Sequence, residues 1–175
     1  MNFPTSGKDR CKLWIAEGFG IGRLRHAPGT WGSLLGVAWT LALLTSGSVW
    51  IYALGSFAGL VLSVWLCGAA ERILTTSDPG SVVLDEIAAF PLCLVPLIAA
   101  LSRHGDPLPA PAVWMRMWHG WFFPAAFALF RLFDIWKPTP IRQSQNLAGG
   151  WGVTTDDVLA AVVSGFVILL IHRLS

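Results

Sequence analysis

The residues of this sequence whose types and spacing suit chemistry lie in three segments. The shortest is Asp85-Glu86, two adjacent carboxylates at the mouth of an apolar run. A helix N-terminus favours such charge. Two neighbouring carboxylates also repel each other, and a hard, oxygen-seeking cation such as Mg²⁺ relieves that repulsion. A second segment carries Arg131, Asp134 and Lys137, then Arg142, then Asp156-Asp157. Arg131, Asp134 and Lys137 are three apart and share one helix face, either as a short salt-bridge ladder or as part of a site. Asp156 and Asp157 precede another apolar run, where N-capping is the plainer account. Together, five acids (Asp85, Glu86, Asp134, Asp156, Asp157) can hold a divalent cation. Lys137 and Arg142 can meet a phosphate. That combination suits phosphoryl transfer.

The third segment is Gly-rich, from Gly18 to Ser33, and includes Arg23, Arg25, His26 and Thr30. Its glycines would let backbone N–H groups approach an anion, with Thr30 and Ser33 beside it. A turn capped by Thr30 or Ser33 is the structural alternative. Arg23 and Arg25 suit either anionic headgroups or a role in setting topology. Other phosphatase chemistries lack their residues. None of Cys11, Cys67 and Cys93 is followed six positions later by Arg, and no Asp-x-Asp pair exists. His119 sits in no basic phosphatase motif. A covalent intermediate is therefore unsupported.

The elements that must position these residues are apolar. The chain is 54% hydrophobic, with mean hydropathy +0.61 and 13% charged residues. An average soluble domain is about 25% charged. This composition excludes a disordered chain and argues against an ordinary soluble enzyme. A net charge of +2 argues against a nucleic-acid binder. Ala27 to Ala70 contains no Asp, Glu, Lys or Arg, which is room for two membrane spans. Five hydrophobic helices are expected: Ser33–Leu44, Val49–Ala70, Asp85–Leu101, Trp114–Trp136 and Asp156–Leu174. Pro91, Pro96 and Pro124 imply kinks, and Pro138 ends the fourth helix. The first and third are short for a full span. Arg103–Ala112 reads as a loop. The fold class is thus all-α, a polytopic membrane helix bundle forming a single domain over residues 1–175. Residues 1–17 are a polar segment with no signal-peptide character. Cys67 and Cys93 read as buried thiols, and several Trp residues suit interfacial anchoring.

If the N-terminus is cytoplasmic and all five helices cross, nine Lys or Arg residues fall on the cytoplasmic side and three on the other. That obeys the positive-inside rule. Of the 22 charged residues, 18 then lie on one face, and all three chemical segments converge there.

The motifs resemble the phosphatidylglycerophosphatase A family. The resemblance rests on Pro28-Gly29-Thr30-Trp31-Gly32-Ser33-Leu34, on Asp85-Glu86 and on Phe130-Arg131. It extends through Asp134-Ile135-Trp136-Lys137-Pro138, Pro140-Ile141-Arg142, Gly149-Gly150-Trp151-Gly152 and Asp156-Asp157. It spans about Gly18 to Gly165. Ala89 stands where the family often has Gly, the stretch Gln143–Ala148 departs from the pattern, and Arg23 and Arg25 are outside it. The resemblance implies a bacterial inner-membrane enzyme that needs Mg²⁺, with its active site facing the cytoplasm. Its substrate would be a phospholipid, phosphatidylglycerophosphate, converted to phosphatidylglycerol and phosphate. On that reading Glu86, Asp134, Lys137 and Asp156 are the expected catalytic residues, with Glu86 the choice for general base. Thr30, Ser33, Arg131, Lys137 and Arg142 would bind substrate, and the five acids would hold the metal. A non-catalytic membrane carrier for an anionic lipid or solute is the rival reading. It requires polar groups at mid-membrane, which the charge-free helix centres do not supply.

Overall fold

A computed structural model describes residues 6–101, 107–145 and 147–174. Arg103, Asp106 and Asn146 lie outside the described residues, as does part of the expected 103–112 loop. The described residues form helices joined by turns and loops, with no strand among them.

The polar N-terminal segment forms a helix, α1 (Gly7–Ala16), with Ser6 as its N-cap. Its Leu13 and Ala16 are buried. Helix α2 (Pro28–Leu44) begins five residues earlier than expected. Pro28 suits a first helical position. Gly29, Gly32 and Gly36 then repeat at helical spacing and make one slim face. A Cβ on Gly36 would stand 2.6 Å from Phe90 Cβ, so this face lets a neighbouring segment come close.

Helix α3 (Val49–Leu74) is capped by Ser48 and runs 26 residues, about 39 Å at 1.5 Å per residue. It presents Trp50, Leu54, Phe57, Val61 and Trp65 outward along one stripe, each more than half exposed. Exposed apolar surface of that extent marks an interaction face, here one suited to lipid. The third expected helix is split. Helices α4 (Leu84–Ala89) and α5 (Val95–Leu101) flank a 3₁₀ stretch, Phe90–Leu94, with Pro91 inside it and Pro96 just after. Proline removes a donor and crowds the preceding turn, so a tight local winding replaces the α-helix. The Tyr52 hydroxyl donates to the Pro91 carbonyl at 2.7 Å.

The fourth expected helix is two helices, α6 (Pro111–Arg116) and α7 (Phe122–Trp136). Trp118, His119 and Gly120 between them all have positive φ. The break explains Pro124: instead of kinking a long helix, it occupies the first turn of α7, where proline costs little. Lys137 ends α7 in a left-handed conformation, followed by Pro138. A short helix, α8 (Ile141–Ser144), leads to α9 (Gly150–Leu174). Helix α9 starts six residues before the expected Asp156, because Gly150 and Gly152 are helical rather than loop. Gly150 presses on α3: a Cβ there would collide with the Val64 carbonyl and stand 2.8 Å from Gly68 N.

The segments run up and down. The α2–α3 turn meets the chain before α6, where Leu108 N donates to Gly47 O at 2.7 Å. The other ends of α2, α3, α4, α7 and α9 gather at the opposite pole. Three segments are long and apolar enough to cross a membrane: Val49–Leu74, Leu84–Leu101 and Gly150–Leu174. Helices α2 and α7, with 17 and 15 residues, span about 26 and 23 Å.

Candidate active site

At that pole the charges form a continuous chain. Arg131 on α7 donates through Nη1 to Glu86 Oε1 on α4 at 3.0 Å and to Asp134 Oδ2 at 2.5 Å. Lys137 Nζ lies 3.9 Å from Asp134 Oδ1 and 2.5 Å from Asp156 Oδ2 on α9. The three-residue spacing on α7 therefore places one carboxylate between two cations. Gln145 Nε2, just past α8, also donates to Asp156 Oδ2, at 3.0 Å. Ser33 Oγ on α2 donates to Gly29 O at 2.9 Å and receives Arg131 Nη1 at 3.5 Å.

Glycine makes this approach feasible. A Cβ on Gly29 would collide with Glu86 Oε1, and one on Gly32 with Glu86 Oε2. These glycines, read from sequence as a phosphate cradle, form the first turns of α2 and give room to the Glu86 carboxylate. Asp85 and Asp157 stand behind the chain, 6% and 3% exposed. Asp85 Oδ1 accepts the Glu86 N–H at 3.0 Å, and Asp156 Oδ1 accepts the Asp157 N–H at 3.1 Å. Asp156 and Asp157 lie in the second turn of α9 rather than at its N-cap.

The five acids thus collect at one pole with two cations, Arg131 and Lys137, in their midst. Burial alone would lower the Lys137 pKa. Its hydrogen bond and ion pair to Asp156, helped by Asp134 and Asp157, outweigh burial and raise it. Lys137 is accordingly an ammonium across the physiological range. Glu86 Oε2 and Arg131 Nε are buried with no hydrogen-bond partner. Among the described residues, no three Asp, Glu, His or Cys side chains are close enough to surround one ion.

Ser33, Glu86, Arg131, Asp134, Lys137 and Asp156 are therefore brought together, with Asp85 and Asp157 adjacent. Thr30 lies on the first turn of α2 and Arg142 is exposed on α8; neither side chain enters the chain of bonds. Arg23 in the Gly-rich loop has a protein partner: its Nε is 2.6 Å from Oε2 of the buried Glu17. Sequence reasoning missed two features, that pair and Gln145. An acid six residues before Arg23 was a weak signal for the pair. Gln145 had none, since its link to Asp156 depends on how the chain turns after α8.

Fold and site together define a helical bundle with an apolar exterior and a two-cation, acid-rich centre at one pole. The phosphatidylglycerophosphatase A family model matches residues 14–172, and the chain belongs to that family. It is 37% identical to phosphatidylglycerophosphatase A of Haemophilus influenzae, over 90% of this chain and 86% of that one. It is 32% identical to phosphatidylglycerophosphatase A of Escherichia coli, over 94% and 88%. A protein of Bacteroides thetaiotaomicron, provisionally named a phosphatidylinositol-3-phosphatase, is 36% identical over 91% of each chain. No solved structure gives a significant match.

Proposed function

We propose that this protein is a lipid phosphatase that hydrolyses the phosphomonoester of phosphatidylglycerophosphate to give phosphatidylglycerol and phosphate. The observation that carries the mechanism is the chain Glu86–Arg131–Asp134–Lys137–Asp156 at one pole of an apolar bundle. Buried ion pairs seldom add net stability, so charge gathered at such cost suits chemistry better than scaffolding. A carrier would need polar groups along its length, whereas here the ion chain is confined to one end.

In the reaction, a water oxygen bonds to phosphorus as the ester P–O bond breaks. Glu86 is the proposed base. Its Oε1 is held by Arg131 while Oε2 has no partner, leaving an acceptor for the water proton. The departing glycerol oxygen takes a proton from solvent. Arg131 and Lys137 stabilise charge on the phosphoryl group, with Asp134 fixing both in place. Thr30 and Arg142 complete the substrate contacts at the rim, and Ser33, which is buried, acts through its contact with Arg131.

The donor chemistry suits Mg²⁺, with hard carboxylate oxygens only and five acids against two cations. As the side chains stand, no three of the described acids surround one point, so binding requires them to turn. Some of Asp85, Glu86, Asp134, Asp156 and Asp157 would hold it, with Glu86 off the metal when it serves as the base. When bound, Mg²⁺ would neutralise phosphate oxygens and acidify the attacking water.

All five traverses cross the bilayer in this reading, the two shorter helices lying within locally thinned lipid. The chain is one domain, in a bacterial inner membrane with the charged pole cytoplasmic. The up-and-down course and the positive-inside count support that orientation. The test is phosphate release from phosphatidylglycerophosphate by the purified full-length protein. Release that stops with EDTA and returns with Mg²⁺ is expected. Release unaffected by EDTA refutes the metal; no release under any condition refutes the activity.

A further inference from the structure

The ion chain has two ends with opposite surroundings. At the Asp156 end, Gln145 also lines a polar cavity of about 690 Å³ with Thr75, Thr76 and Ser77. Toward the other end, at Arg131 beside the terminal Glu86, a groove of about 810 Å³ is lined by Ala128, Arg131, Leu132, Ile135 and Trp136. These five positions share one outward face of α7 at helical spacing. Leu132, Ile135 and Trp136 are each more than half exposed. One cation thus sits in an otherwise apolar, outward-facing stripe, and the same cation holds Glu86 and Asp134. The stripe on α3, from Trp50 to Trp65, is as apolar and contains no charge.

We propose that this face of α7 is the lateral entrance for the lipid substrate. An acyl chain lies along Ala128 and Leu132, the anionic headgroup is drawn to Arg131, and the polar end points along the ion chain toward Gln145. Charge complementarity and apolarity select one occupant, an anionic phospholipid taken sideways from the bilayer. Water-soluble phosphomonoesters would reach the same acids without using the groove. The inference rests on the phosphatase reading above.

Two measurements test it on the full-length protein in detergent. The first compares long-chain phosphatidylglycerophosphate with its dibutanoyl analogue. Ala128→Trp fills the groove at an exposed position, where substitution costs little stability. It should lower kcat/KM about tenfold on the long-chain lipid and change it less than about twofold on the soluble analogue. Leu132→Trp should act in the same sense. Equal changes on both substrates, or no change on either, overturn the proposal. The second uses a long-chain anionic phospholipid with a photoreactive diazirine in its acyl chain. Cross-linking concentrated in residues 122–136 and lost in Ala128→Trp supports the entrance, whereas labelling spread equally over α3 and α9 overturns it. Cross-linking needs no turnover. A wild-type protein that labels in the groove yet releases no phosphate would refute the phosphatase reading and leave the lipid groove standing.

Discussion

The two poles of the bundle are built on opposite terms. At the far pole Trp114, Trp118, Phe122 and Phe123 pack as a ring of aromatics, with centroid separations of 5.3 to 5.5 Å. Trp114 and Phe122 are fully buried, and the Trp114 indole N–H donates to Pro109 O at 3.0 Å. Each such contact adds stability. At the charged pole Asp85, Asp134, Asp156 and Asp157 are all under 9% exposed, which opposes folding unless each finds a partner. One pole holds the bundle together and the other spends part of that stability on a reactive surface.

Paired substitutions sharpen that contrast. Asp156→Asn removes a charge that Lys137 and Gln145 both contact, and should cut turnover about 10² to 10³-fold while the protein stays folded. Phe122→Ala should do the reverse, costing about 3 to 5 kcal/mol with turnover per folded molecule unchanged. Phosphate release alongside thermal unfolding in detergent reads both. The glycines give a subtler pair. Gly32→Ala drives a methyl group into Glu86 and within 2.7 Å of Val83 Cβ, and displacing that carboxylate should cost about ten- to a hundredfold in kcat. Gly47→Ala at the far pole has its nearest neighbour 4.0 Å away. With φ at +64° it should lose only about 1 kcal/mol of stability and no activity. Activity lost equally in both variants would break the contrast.

Smaller effects follow from the outer contacts. Gln145→Ala takes one of the hydrogen bonds from Asp156 and should lower kcat about three- to tenfold. The smallest effect concerns pH. The Lys137 pKa is raised, so the stability its ammonium contributes is complete below its ordinary value of about 10.5. That contribution fades only as pH rises through the higher folded value. Thermal stability should then show no Lys137-dependent step between about pH 7 and pH 9, and Lys137→Arg should leave that plateau flat.

Much of this site is visible in the sequence because its centre is local. Arg131, Asp134 and Lys137 need only an α-helix to share a face, and three-residue spacing specifies that. The apolar runs likewise foretell an up-and-down bundle that brings Asp85-Glu86 and Asp156-Asp157 to the same pole. What escapes is set by contacts between distant segments. Gly29 and Gly32 are glycine because Glu86, more than fifty residues on, needs the room. Gly150 and Gly152 read as loop because glycine is a poor helix former, yet close packing against α3 keeps them helical. The break at Trp118–Gly120 hides inside an apolar run, since hydrophobicity marks burial in lipid or protein but not the backbone's course. The Glu17–Arg23 pair and Gln145 depend on turns whose geometry no periodicity encodes.

The central claim is that the charge at one pole performs phosphomonoester hydrolysis, and Asp134 is its node, contacted by both Arg131 and Lys137. The most direct measurement is phosphate release from phosphatidylglycerophosphate by purified Asp134→Asn beside the wild type, with unfolding temperature recorded on the same samples. The account predicts release at or below about a hundredth of wild type from a protein that still unfolds cooperatively. Wild-type release from folded Asp134→Asn would contradict it.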